Sequence, residues 1–154
     1  MNLKFPFASE DERKMFSSFL SELAEESSGM KQALERIMLA LFLGEATTFY
    51  FHPRRGVSYS LRAGLKGELA TNRPYYAIVD IIRDSGGEPW LSVCFYADTV
   101  SDPQDFGNLI PNGLLGEDGY CFDVDPDDDN LLSYIEARIN EAYQACISMP
   151  RPSA

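Results

Sequence analysis

Between Asp84 and Ala137 the chain has no lysine and no arginine, although 13 of its 24 acidic residues lie there. A stretch so one-sided repels polyanions and invites cations or basic partners. The bias extends to the whole chain, where 13 Lys and Arg against 24 Asp and Glu leave a net charge of −11. Nucleic-acid binding is therefore not expected, because Lys and Arg supply most of the affinity for phosphates. Cysteine is scarce too. Cys94, Cys121 and Cys146 are an odd number at wide spacing without a C-x-x-C pair, so neither a disulfide framework nor a zinc site is expected, and a reducing, cytoplasmic setting follows. Long apolar runs are missing as well. The longest strongly apolar helical run, Ile37 to Leu43, is far too short to span a bilayer, and Met1 to Phe7 lacks the apolar stretch of a secretory signal. No membrane partner is expected.

What is present is a globular composition. The 154 residues are 45% hydrophobic and 12% aromatic, enough for one domain over residues 1–154 with its own core. Ser9-Glu10-Asp11-Glu12 is a capping-box pattern, and Met15, Phe16, Phe19, Leu20 and Leu23 form one stripe behind it, which predicts a helix from about residue 10 to 26. After Ser27-Ser28-Gly29, a second helix carries Leu34, Ile37, Met38, Leu41 and Phe42, with Gly44 expected to end it in a left-handed conformation. The period then drops to two. Strands are expected at Thr47–His52, Val57–Arg62, Tyr75–Arg83 and Trp90–Ala97, with turns at Pro53–Gly56 and Asp84–Pro89, and residues 120–124 offer a short fifth. Residues 98–119, with two prolines and four glycines, read as a long loop. A last helix follows, its stripe being Leu132, Ile135, Ile139, Ala142 and Cys146. The expected fold is α+β: two N-terminal helices, an antiparallel four- to five-stranded meander sheet and one C-terminal helix.

Alternation separates the sheet's two faces. Phe49, Phe51, Val57, Tyr59, Leu61, Leu91, Val93 and Phe95 form an apolar set expected to pack on helices. The opposite set is mixed: Thr48, Tyr50, His52, Ser58, Ser60, Arg62, Tyr76, Ile78, Asp80, Trp90, Ser92, Cys94 and Tyr96. Of these, Arg62, Asp80, Trp90, Tyr96 and His52 are the candidate ligand- or partner-binding residues, since they combine rings, charges and hydroxyls on one surface. The plainer reading is a half-solvated face, or one covered by the last helix, the long loop or a second subunit. Asp80 sits among apolar neighbours, and Arg62 is its expected ionic partner.

No catalytic residue is assigned. Cys94 and His52 share the mixed face but lack a local signature and an orienting third group. Gly113 to Gly119 is neither a P-loop nor a dinucleotide fingerprint, and its glycines are read as turn formers. The aspartate block does fit part of a calcium loop, with Asp125, Asp127, Asp129, Ser133 and Glu136 at oxygen-ligand positions. Position 6 is Asn130 rather than glycine, and no helix enters the loop. Capping of the last helix is thus preferred, with this metal site as the weaker alternative and no cofactor assigned. The resulting functional expectation is a non-enzymatic acidic binding or adaptor module that engages a basic protein or peptide, with a homodimer in view. Its rival is a small-molecule-binding protein or enzyme whose site lies on the mixed face under the 98–119 loop.

Overall fold

Ser9 opens the first helix by accepting a hydrogen bond from the Glu12 backbone at 3.1 Å, while its hydroxyl donates to the Glu12 carboxylate at 2.9 Å. A computed structural model describes residues 5–67, 71–83 and 88–150 of the chain. In it α1 spans Glu10–Glu26 and α2 spans Ser28–Phe42. One residue separates them. Ser27 ends α1 by donating its N–H to the Leu23 carbonyl and starts α2 by accepting from the Met30 N–H at 3.2 Å. Gly44 follows α2 as expected, but for another reason: its φ is not positive, and an added Cβ would lie 2.6 Å from the Tyr143 ring.

Among the described residues there are six strands, β1 (Thr47–Arg54), β2 (Ser58–Leu65), β3 (Ala77–Ile82), β4 (Trp90–Tyr96), β5 (Asn108–Leu114) and β6 (Glu117–Val124). All named pairs are antiparallel, in the order β1-β2-β3-β4-β6-β5. The expected turn at residues 84–89 lies largely outside the described residues. One more strand exists than the sequence predicts, because the supposed 98–119 loop contains β5. A short helical turn at Ala97–Thr99 begins that crossover, and a two-residue turn returns the chain into β6, with φ of 52° at Leu115 and 87° at Gly116. Two successive positive φ values match the right-handed twist of a hairpin.

The final helix, α3 (Asp129–Ile147), packs on α2, β4 and β6, while α1 packs on α2 and β1. All three helices therefore lie on one face of the sheet. There the apolar set of strand residues meets Phe16, Leu34, Ile37, Ile135 and Ile139 in one core. Two residues depart from the alternation. Val57 is exposed in the β1–β2 turn, and Tyr76, just outside β3, turns into the helix-side core where its hydroxyl meets Thr47 Oγ1 at 2.6 Å. Among the described residues, no helix consequently lies on the mixed face.

Both sheet edges are hindered against strand addition. On β1, the N–H groups of Thr47, Phe49 and Phe51 donate to the Gly44 carbonyl, the Pro6 carbonyl and the Glu12 carboxylate, and Pro53 has none to offer. On β5 the hindrance comes from Pro111. Cys94 and Cys121 face each other with Cα atoms 4.1 Å apart, the close spacing of a non-hydrogen-bonded pair. Cys121 therefore bonds towards Asn108, its partner on β5, which leaves Leu109 and Pro111 pointing outward. Proline at the outward position is a recurrent protection of edge strands.

Candidate functional site

Strand register aligns one polar side chain from each of five strands across the open face. His52 pairs with Ser60, Ser60 with Asp80, Asp80 with Ser92, and Ser92 with Asp123. The next row is Tyr50, Arg62, Ile78, Cys94 and Cys121, and on the other side Ser58, Ile82 and Trp90 align. His52, Arg62, Asp80 and Trp90 thus share one surface. Tyr96 also faces it but lies at one end, 2% exposed beneath the stacked guanidinium of Arg73 at 4.1 Å. Ile78 is 6% exposed beside Leu114 and Tyr75, whereas Trp90 is 39% exposed. One end of the face is covered by Leu114 and Tyr75, and the Trp90 end is open.

The expected Arg62–Asp80 ion pair is replaced by a relay. Arg62 Nε donates to Ser60 Oγ at 3.1 Å, and its guanidinium lies 5.2 Å from the Tyr75 ring. Burial raises the Asp80 carboxyl above its ordinary range, with the Ser60 hydrogen bond and the Arg62 charge pulling it back. Burial likewise lowers His52, helped by the Arg62 charge and opposed by Glu12. Cys94 is not a free thiol. It forms a disulfide with Cys121, a correction to the expectation drawn from cysteine spacing. The reason is topological: β6 returns beside β4, bringing together cysteines 27 residues apart. His52 on β1 and Cys94 on β4 are also three strand spacings apart, roughly 14 Å.

The aspartate block divides. Asp129, Ser133 and Glu136 converge on Arg36 of α2, whose Nη1 donates to Asp129 at 2.6 Å and whose Nη2 donates to Ser133 at 2.9 Å and to Glu136 at 2.7 Å. Asp125 instead accepts from the Asp127 N–H at 3.0 Å. The N-cap of α3 is Asp128, which accepts from the Leu131 N–H at 3.0 Å. Among the described residues no group of three or more His, Cys, Asp or Glu is placed to hold a metal ion.

Sequence reading misses Asp102, the hub of the crossover. Its carboxylate accepts from the hydroxyls of Tyr120 and Tyr134, both at 2.5 Å, and from the N–H groups of Phe106 at 3.0 Å and Gly107 at 2.8 Å. Burial pulls its pKa upward, but these four donors outweigh it and bring it down to about 2. Glycine is needed at 107, because a Cβ there would lie 2.5 Å from the Tyr120 ring. The hub ties residues 102–107 to α3 and β6 rather than over the mixed face.

Charge then sorts itself in space. Arg36 takes Asp129 and Glu136, and Arg73 takes Asp98 and Glu117. Among the described residues Asp105, Asp118, Asp123, Asp125, Asp127 and Asp128 form no ion pair with Lys or Arg. They are distributed over the crossover, β6 and the start of α3, with Asp118 and Asp123 five residues apart on β6 and Asp123 on the open face. Exposed apolar side chains share these elements, including Phe106 at 48% and Leu109 at 54%. No family model, curated protein or solved structure matches the chain. Among the described residues no helix is long and apolar enough to cross a membrane.

Proposed function

We propose that the protein is a non-enzymatic acidic binding module that engages a basic segment of a protein partner through these elements. The observation that carries the reading is that six carboxylates on the crossover, β6 and the start of α3 have no cationic partner among the described residues, on elements that also expose Phe106 and Leu109. Such a surface raises the local concentration of cationic ligands and speeds their encounter. Hindered sheet edges favour recognition by side chains over strand addition. The rival reading, a small-molecule site on the mixed face under the 98–119 segment, has less support, because residues 102–107 pack against α3 and β6 and Leu114 of that segment covers one end of the face.

Titration calorimetry with a 12-residue peptide rich in lysine and arginine tests the proposal. Saturable binding in about 0.15 M salt is expected, weakening as the Debye length shortens below about 8 Å. Affinity unchanged in the combined Asp118→Lys, Asp123→Lys, Asp125→Lys and Asp128→Lys variant would count against it.

A further inference from the structure

Resting on that reading, we propose that the cleft between residues 104–106 and the first turns of α3 seats an arginine side chain of the basic partner segment. The cleft holds about 660 Å³ and is lined by Gln104, Phe106, Asp128, Leu131, Ser133 and Tyr134, together with Asn130. An arginine needs apolar surface for its stem, a ring for its flat head and a carboxylate for its charge. Each is present. Leu131 and the half-exposed Phe106 offer the apolar wall, with the Phe106 ring held edge-on to Tyr134 at 4.9 Å. Asp128 uses Oδ1 to cap α3, leaving Oδ2 for a ligand.

The fold contains its own precedent for this chemistry. The guanidinium of Arg138 lies 4.4 Å from the Tyr134 ring, so that ring already accepts an arginine head. On the other side of the α3 start, Arg36 neutralises Asp129 and Glu136. Asp128, the carboxylate that lines the cleft, forms no ion pair among the described residues and is left for a partner.

The wall is also held in place before any ligand arrives. Asp105 adopts a left-handed φ of 57° in a turn closed by its own N–H on the Asp102 carbonyl at 3.1 Å. Asp102 then fixes the following residues through its four hydrogen bonds. A preformed site spares the ordering entropy that weakens binding to mobile loops. Phe106 remains exposed because this turn holds it at the cleft mouth.

The test uses the full chain and three 12-residue peptides that differ only in carrying arginine, lysine or glutamate at the charged positions. Calorimetry in about 0.15 M salt should give one-to-one binding of the arginine peptide, weaker binding of the lysine peptide and none of the glutamate peptide. Amide shift changes should cluster at residues 104–106 and 128–134. Phe106→Ala and Asp128→Asn should each lower affinity at least tenfold. Asparagine caps a helix as well as aspartate does, so Asp128→Asn removes charge without loosening α3. Equal affinity for the arginine and lysine peptides overturns the arginine assignment. Binding untouched by both variants but abolished by Asp118→Lys with Asp123→Lys overturns the cleft and leaves the binding-module reading standing. No binding of either basic peptide overturns both.

Discussion

Asp102 satisfies two tyrosine hydroxyls and two backbone N–H groups with one side chain, so its replacement strands several donors at once. Asp102→Asn should destabilise the protein by about 2 kcal/mol at neutral pH, the scale for a hydrogen bond to a charged group. The pH dependence follows from the direction of the shift. A folded pKa of about 2 lies below the ordinary aspartate value of about 3.9, so this stabilisation is present above about pH 4 and is lost as pH falls towards 2. Urea melts of both proteins should differ at pH 7 and converge near pH 2; an equal gap at both would refute the charged-acceptor account. Arg36 supports a second expectation. Because it already occupies Asp129, Ser133 and Glu136, calorimetric titration with Ca²⁺ should reveal no site tighter than about millimolar, the weak end of such loops. Residue patterns in the sequence could suggest the liganding geometry of this block but not its counterion, since Arg36 is 93 residues from Asp129. Asp102 is equally silent in sequence, because its donors come from three separated segments.

Elements with a strong local period were legible: α1 occupies the same residues the capping box and stripe predict, and α3 buries the whole predicted stripe. β5 was not. It carries Pro111, a bulge around Asn112 at φ 56° and no buried residue before Leu114, so nothing in it alternates. The expected meander already sets residues 120–124 beside Trp90–Ala97, but it carries no register, and so it does not show the Cys94–Cys121 bond. That bond closes a loop with a sequence separation of 27, for which chain entropy predicts about 3.5 kcal/mol of stabilisation. Melting with a dithiol reductant, or of the Cys94→Ser, Cys121→Ser variant, should be lower by roughly 7–14 °C. Two reactive thiols in the untreated protein together with an unchanged melt would dismiss the bond. Glu12 serves two elements at once, as the partner of the Ser9 cap and as acceptor for the Phe51 N–H at 2.8 Å. Glu12→Ala should cost about 2 kcal/mol by urea denaturation, more than a cap alone; a loss below about 0.5 kcal/mol would mean the β1 edge finds another acceptor.

At the scale of the molecule, two effects of charge compete, and salt separates them. The ion pairs of Arg36, Arg73, Arg83 and Arg138 are short contacts whose cations are 12–30% exposed, so added salt weakens them little. The excess of 11 negative charges acts instead over longer distances, among carboxylates on the crossover, β6 and the start of α3 that no Arg or Lys neutralises in the described residues. Repulsion of that range is what a shortening Debye length removes, from about 30 Å at 0.01 M to about 8 Å at 0.15 M salt. Relief of repulsion should therefore win, and the melting temperature should rise across that interval. Affinity for a basic peptide should fall across the same interval, because the field that strains the free protein is the field that attracts the partner. Opposite slopes in one set of buffers tie the two observations to one set of carboxylates. The Asp118→Lys, Asp123→Lys, Asp125→Lys, Asp128→Lys variant should flatten both. Flattening of the binding slope alone would place the repulsion elsewhere on the surface, and a melting temperature that falls with salt in the wild type would mean that the ion pairs, not these carboxylates, dominate the electrostatics of the fold.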